Sequence, residues 1–158
     1  MFTPFRLRDM VVENRVVVSP MDQYSAVDGV PGDWHFVHLG SRAVGGAGLV
    51  YVEMTCPSPE GAHLAGRHRA CGTRRSATPS SASSISATRN SKAKLCMQLG
   101  HSGRKGSTQL GWERMDHPLE RGNWPVVSAS PIPYYEGVSQ VPHRARSRGM
   151  EKIVRRIS

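Results

Sequence analysis

The stretch "RVVVSPM", residues 15–21, is a run of β-branched residues that ends in a short loop signal with a proline. Such a run is typical of a buried strand that leads into a loop. Two further runs, "LVYVEM" at residues 49–54 and "AKLCMQLGH" at residues 93–101, have the same apolar character. We therefore expect three strands from these segments.

A helix is predicted between the first two strands, in "DWHFVHLGSRAVGGAG" at residues 33–48. Asp33 is a candidate N-cap, and Gly45 with Gly46 provides a stop. The apolar positions of this helix are Trp34, Val37, Leu39 and Val44. The order of strand, helix, strand, gap and strand predicts an α/β fold with a parallel sheet, in which the gap falls where a second helix is due.

Polar or unusual residues follow each of the three strands, where parallel α/β folds collect their chemistry. They are Ser19, Met21, Asp22 and Tyr24 after the first, Glu53 and Met54 after the second, and Gln98 and His101 after the third. A buried glutamine needs partners for its amide. Neighbouring backbone would supply them, and so would a ring with alternating donors and acceptors.

The basic charge is concentrated in two segments. The formal net charge is +9 at pH 7, but residues 61–91 alone hold five arginines and no acidic residue, and residues 143–158 hold six basic residues and one glutamate. A basic chain raises nucleic acid as a partner. Neither segment contains an aromatic residue that could stack on bases. A basic nucleic-acid-binding protein is therefore the alternative to an enzyme.

The cellular compartment is indicated by what the sequence lacks. Cys56, Cys71 and Cys96 are too few and too widely spaced for a zinc ribbon or a disulfide framework. The start, "MFTPFRLRDM", has no signal-peptide pattern, and no apolar run reaches the ~18 residues of a membrane span. We expect a cytoplasmic protein without a membrane partner.

Several ordered motifs together resemble the amino-terminal part of the old yellow enzyme family, the FMN-dependent NAD(P)H:flavin oxidoreductases. They are "FTPFRLRDMVVENRVVVSPMDQYS", "HLGSRAVGGAGLVYVEM", "QLGHSGRKGS" and "VSASPIPYY". Residues 21–43, "MDQYSAVDGVPGDWHFVHLGSRA", are most similar to the branch associated with salicylyl-CoA and aminobenzoyl-CoA hydroxylases. The resemblance implies a (β/α)8 TIM barrel, which needs roughly 250 residues. This chain would hold about three of the eight strands, an incomplete barrel.

The resemblance also implies a cofactor site. The positions that match FMN-binding residues are Ser19, Pro20, Met21, Asp22, Met54 and Gln98. The first four match a loop beside the flavin ring, Met54 a second backbone contact, and Gln98 a side chain on the pyrimidine edge of the ring. Tyr24 matches a residue close to the substrate. Asp22 stands where relatives often have Cys, Thr or Gly, and an ionised acid there would lower the flavin potential by charge repulsion.

The implied reaction is hydride transfer from NAD(P)H through FMN to an activated C=C bond of a small molecule, with a CoA thioester as the substrate type in that branch. Intact relatives would be able to form homo-oligomers, and no nucleic acid is implied. The family's substrate-binding pair and its phosphate-binding residues match positions after Ser158. We therefore expect this chain alone to be inactive, and its catalytic residues are not assigned.

Two pairs of side chains are weaker candidates. His35 and His38 are three residues apart on one predicted helix, a spacing that suits a metal, but no third ligand is in register, so we expect no metal. His101 and Arg104 lie in a glycine-flanked loop after the third strand. They could contact substrate or flavin, or lie in a solvated loop.

Residues 62–89 are atypical of the family, which has a loop and the second barrel helix there. If the serines are encoded TCN, a shifted frame turns each into NTC, which encodes Phe, Leu, Ile or Val. Applied to residues 79–86, this gives the apolar periodicity of a helix. We interpret the segment as disordered or out of frame within a single truncated barrel domain, residues 1–158. A Ser-rich linker or a basic arm would explain its composition only.

Overall fold

The computed structural model of the chain describes residues 1–62, 69–70, 87 and 89–157. The α-helices with described bounds are α1 (Asp33–Val44) and α2 (Ser147–Ile157), and residues 87, 89 and 90 are also helical. The strands of the described residues are β1 (Phe5–Leu7), β2 (Met10–Val12), β3 (Val17–Val18), β4 (Leu49–Cys56), β5 (Arg69–Ala70), β6 (Lys94–Leu99), β7 (Val127–Ser128) and β8 (His143–Arg144). Short 3-10 turns lie at Pro59–Gly61 and Gly103–Lys105.

A parallel sheet of four strands is centred on β4. β6 pairs with β4 over nearly its whole length, from Leu49↔Lys94 to Thr55↔Leu99. β3 pairs with the first residues of β4 and β5 with its last two, so both lie along the opposite edge. The register between β4 and β6 shifts between Val52 and Met54, which places a bulge at Glu53.

The core lies between α1 and the first half of β4. The buried members of this cluster share small or branched apolar side chains: Leu39, Ala43, Ala47, Val50, Val52, Ala87 and Ala93. Val16, Val18 and Leu95 pack against them. The core thus packs against the amino-terminal half of the sheet. The carboxyl ends of the strands lie outside it and carry polar side chains.

Helix α1 confirms the predicted element but corrects two of its details. Its N-cap is Gly32, not Asp33, because Gly32 is extended and exchanges hydrogen bonds with His35: the Gly32 N–H donates to Nδ1 at 3.1 Å, and the His35 N–H donates to the Gly32 carbonyl at 3.0 Å. Asp33 instead occupies the first turn, where a carboxylate is favourable beside the helix dipole. Gly45 closes the helix, as expected.

The second correction concerns the buried face of α1. Of the four predicted apolar positions only Leu39 is buried, whereas Trp34, Val37 and Val44 are each more than half exposed. The inward positions are taken by His35 and His38 together with Leu39 and Ala43. Glu53 on β4 lies 2.7 Å from His35 Nε2 and favours the inward position of His35, and a sequence pattern does not reveal this contact.

The α/β prediction is confirmed by β3, α1, β4 and β6, which follow the predicted order of strand, helix, strand and strand. The antiparallel β1–β2 hairpin, the β7–β8 pair and α2 were not predicted. The interpretation of residues 62–89 falls almost entirely outside the described residues. No described helix is long and apolar enough to cross a membrane.

Candidate active site

The polar residues predicted at the strand ends come together on one edge of the sheet. Met54 and Gln98 are register partners at the ends of β4 and β6. The loop that follows β3 reaches the same edge, because the Asp22 carboxylate accepts a hydrogen bond from the Met54 N–H, with 3.2 Å between Oδ1 and N. Three separate segments thus converge on Asp22, Met54 and Gln98, as their placement after parallel strands predicts.

Gln98 lies at this edge, one residue before the end of β6. The residue is exposed, and no hydrogen bond joins its side chain to another residue that the structure describes. The sequence left open whether neighbouring backbone satisfies Gln98, and within the described residues it does not. An amide that offers both a donor and an acceptor is suited to the pyrimidine edge of a flavin, which has alternating acceptors and an N–H donor.

Met54 lies against Gly100, just past the end of β6. A Cβ atom at position 100 would come within 2.7 Å of the Met54 Cγ and 2.9 Å of its Sδ. Glycine is therefore required there for the thioether to lie across the end of the sheet. The end of the sheet thus places an apolar side chain next to the exposed residue Gln98.

The loop after β3 holds the other predicted residues. Ser19, Met21 and Asp22 are exposed and Pro20 is half-buried. The backbone of Tyr24 has a φ of +52°, in the left-handed region that residues other than glycine rarely occupy. Its ring meets Trp112 edge-on, with the ring centroids 5.6 Å apart.

Burial, followed by the charge of Asp22, raises the pKa of the Tyr24 phenol above its usual value, although Lys105 opposes the shift. The phenol is therefore protonated at neutral pH.

A second polar group lies beside Tyr24. Lys105 Nζ is 3.1 Å from the carboxylate of buried Asp116 and 5.4 Å from the ring centroid of Tyr134. Burial lowers the pKa of Lys105, but the hydrogen bond and charge of Asp116 outweigh it and leave the pKa raised. Lys105 is thus a fixed positive charge at the border of the site.

Glu53 is a strand-end residue to which the sequence analysis assigned no role. It is 5% exposed, and its Oε2 accepts a hydrogen bond from the Gln23 N–H at 2.6 Å. Its Oε1 lies 2.7 Å from Nε2 of buried His35. The signal for this role was a lone carboxylate inside the apolar run "LVYVEM".

The weaker candidates have other surroundings than those proposed. His35 contacts Glu53, and His38 lies on the same buried face of α1. No group of three or more His, Cys, Asp or Glu side chains able to hold a metal occurs among the described residues. Nδ1 of His101 accepts a hydrogen bond from the Gly103 N–H at 3.0 Å, and its ring packs on Gly61. Arg104 is exposed.

Solved structures define the class of fold. Morphinone reductase superposes with a TM-score of 0.78 at 22% identity, covering 98% of this chain and 42% of that enzyme. Old Yellow Enzyme from Pichia sp. AKU4542 superposes with a TM-score of 0.79 at 18% identity, covering 98% and 40%. The expectation of an incomplete TIM barrel is therefore confirmed, because the chain matches part of these (β/α)8 barrels.

Sequence comparisons then identify the family. A profile of the NADH:flavin oxidoreductase / NADH oxidase family matches residues 1–152. An NADH:flavin oxidoreductase of Gibberella zeae is 32% identical over 157 residues, and an NADPH dehydrogenase of Geobacillus thermodenitrificans is 29% identical over 168. The chain belongs to the NADH:flavin oxidoreductase / NADH oxidase family. It spans 37% and 41% of the lengths of these two relatives.

Proposed function

We propose that this chain is part of an FMN-dependent oxidoreductase of the ene-reductase type, which passes hydride from NAD(P)H through FMN to an activated C=C bond of a small molecule. One observation carries the proposal: Asp22, Met54 and Gln98 meet at the carboxyl ends of adjacent parallel strands. In a chain of a flavin oxidoreductase family, that edge is where a cofactor binds. The named relatives are oxidoreductases, so they give no support to the nucleic-acid-binding alternative.

The residues divide into three roles in this proposal. The loop of Ser19, Pro20, Met21 and Asp22 lies beside the flavin ring, and Gln98 hydrogen-bonds its pyrimidine edge. Because the Met54 N–H already donates to Asp22, the contact of Met54 with the ring uses its other atoms. Tyr24 faces the substrate. Bound FMN supplies the hydride transfer, which a polypeptide alone cannot perform.

The reduction adds hydride to one carbon of the C=C bond and a proton to the other. We place the substrate among CoA thioesters, as in the branch associated with salicylyl-CoA and aminobenzoyl-CoA hydroxylases. The support is the resemblance of residues 21–43 to that branch. A thioester carbonyl withdraws electrons and so activates the adjacent C=C bond for hydride addition.

The rest of the proposal concerns the whole chain. Residues 1–158 form one truncated barrel domain with an atypical segment at 62–89. The chain alone is inactive, because in the resemblance the phosphate-binding residues and the substrate-binding pair belong to later strands. Intact relatives would act in the cytoplasm, where NAD(P)H is available, and as homo-oligomers.

A titration with two flavins tests the proposal. The proposed contacts are made to the flavin ring and not to the phosphate of FMN. FMN and riboflavin should therefore bind with equal affinity, within about threefold. Both dissociation constants should be above about 10 µM, since most of the usual contacts are missing. Flavin fluorescence quenching during titration with the purified chain measures both.

Two outcomes would overturn the proposal. If FMN binds far more tightly than riboflavin and inorganic phosphate or a single-stranded oligonucleotide displaces it, the basic segments bind polyanions and the alternative stands. If neither flavin quenches at any reachable concentration, the strand-end site does not recognise the ring.

A further inference from the structure

A buried carboxylate marks the place where the loop after β3 joins the sheet. Glu53 lies at the bulge of β4, where the register with β6 shifts, and it is 5% exposed. A buried carboxylate is unfavourable unless donors surround it. Glu53 accepts one described hydrogen bond, from the Gln23 N–H at 2.6 Å, and its other oxygen lies at ion-pair distance, 2.7 Å, from His35 Nε2.

The tautomer of His35 follows from its other nitrogen. Nδ1 accepts a hydrogen bond from the Gly32 N–H at 3.1 Å, so it bears no proton. Nε2 therefore carries a proton, and it is this nitrogen that lies 2.7 Å from the Glu53 carboxylate. Through this ring, the first turn of α1 is tied to the end of β4.

Gln23 is fully engaged on the other side of Glu53. Besides its N–H, its Oε1 accepts from Trp34 Nε1 at 2.9 Å, and its Nε2 donates to the Met21 carbonyl at 2.9 Å. Its backbone carbonyl accepts from the Ser25 hydroxyl at 2.8 Å. All the hydrogen-bonding groups of one loop residue thus have partners, which is unusual for a surface loop.

The two neighbours of Gln23 are the site residues Asp22 and Tyr24. Tyr24 keeps its left-handed backbone conformation, which is unfavourable for a side chain with a Cβ and persists where surrounding contacts hold it. The core cluster of the sheet includes Val50 and Val52 but no residue of this loop. The polar contacts around Glu53, together with the hydrogen bond from the Met54 N–H to Asp22, are therefore the described contacts that fix the loop on β4.

We propose that Glu53, His35, Gln23 and Trp34, here called the Glu53 network, are positioning residues that hold Asp22 and Tyr24 at the flavin site. Their role in catalysis rests on the proposed function, but their role in fixing the loop does not. None of them has to touch the flavin or the substrate. They act through the conformation of residues 21–25.

The main test replaces Glu53 with glutamine. One amide oxygen can accept from only one of the two N–H groups, and the NH2 group would face the other, so the Gln23 N–H or His35 loses its partner. We expect amide exchange at residues 21–25 to become about tenfold faster or more. Exchange at Val50 and Val52 should stay unchanged. Glu120→Gln, which removes the same charge at an exposed site, is the matched control.

A second variant covers the case in which Glu53→Gln does not fold. Trp34 is 53% exposed, so Trp34→Phe keeps the ring bulk and removes only the donor to Gln23. If the loop loosens, Tyr24 becomes hydrated and its raised pKa falls towards the ordinary tyrosine value, because burial is the main cause of the shift. NMR titration of the chain with labelled tyrosine ring carbon gives this pKa.

The inference fails if exchange at residues 21–25 and the pKa of Tyr24 both stay as in the parent chain. It also fails if exchange accelerates equally at Val50 and Val52, because the network would then stabilise the sheet in general. Failure of the parent chain to bind flavin would refute the proposed function and leave these two measurements unaffected.

Discussion

Single residues at the strand ends carry the chemistry of this molecule. Asp22, Met54 and Gln98 were expected to meet because each was predicted to follow a parallel strand. In the structure, the Met54 N–H donates to Asp22, and Met54 is the register partner of Gln98. The partners of Glu53 were not predictable, because Gln23 and His35 lie 30 and 18 positions away along the chain and only the folded sheet aligns them with Glu53. Sequence position thus predicts which residues collect at an edge, but not which donor each acceptor takes.

Gln98→Leu tests the contact with the pyrimidine edge of the flavin. Leucine keeps the volume and removes both hydrogen-bonding groups, so flavin binding should weaken by about 1–2 kcal/mol, roughly tenfold in the dissociation constant. Gln140→Leu makes the same chemical change at a residue whose amide contacts Asn123 instead, and serves as the control. Equal flavin affinities for the parent chain and Gln98→Leu would assign Gln98 a structural role only.

At the scale of elements, the strands were predictable because runs of β-branched residues strongly favour β-strands in an α/β fold. The helix was predictable in its position but not in its buried face, since His35 replaces an apolar residue through its contact with Glu53. The bulge in β4 could not be inferred, because it depends on the register with β6. The β1–β2 hairpin was missed, since its three-residue strands are too short for a periodic pattern.

Gly48 tests the junction where β4 begins. Its N–H donates to the Val16 carbonyl at 3.0 Å, its carbonyl accepts from the Lys94 N–H at 2.9 Å, and a Cβ atom there would overlap the Asn14 carbonyl oxygen. Gly48→Ala should therefore push β3 and β4 apart and destabilise the chain by about 1–3 kcal/mol. Urea unfolding followed by circular dichroism measures the change.

Gly40→Ala is the matched control, because nothing lies within 4 Å of a Cβ atom at that position of α1. It should stabilise the chain by up to about 1 kcal/mol through helix propensity. If Gly48→Ala lowers the stability and Gly40→Ala raises it, the effect at Gly48 arises from close packing and not from the loss of backbone freedom. Equal effects would show that the approach of Asn14 is not the constraint.

At the scale of the whole molecule, two histidines with a buried ring nitrogen, His38 and His101, make stability depend on pH. Burial lowers the pKa of His101, against a smaller opposing effect of Glu60, and burial followed by the charge of Arg42 lowers the pKa of His38. The unfolded chain therefore takes up protons at a higher pH than the folded chain. Stability should be constant above the unfolded histidine value, about 6.5, and should fall as the pH drops below it.

His101→Asn tests this dependence. The asparagine oxygen can still accept from the Gly103 N–H, so the variant removes a titrating group and keeps the local hydrogen bond. Between pH 7.5 and 5.5 its urea midpoint should fall less than that of the parent chain. His143→Asn, at an exposed histidine, is the matched control and should leave the fall unchanged. An identical fall in all three proteins would contradict the assignment to His101.

The pairing of β4 with β6 has a consequence for how the chain tolerates lesions. Leu49 and Lys94 are register partners about 45 residues apart along the chain. The entropy lost in closing so long a loop grows only with the logarithm of its length, so ten added residues cost about 0.2 kcal/mol. Closure entropy therefore sets only a weak limit on the length of this connection, and a lesion there acts on the sheet that orients Met54 and Gln98 mainly through β5 and the core residue Ala87.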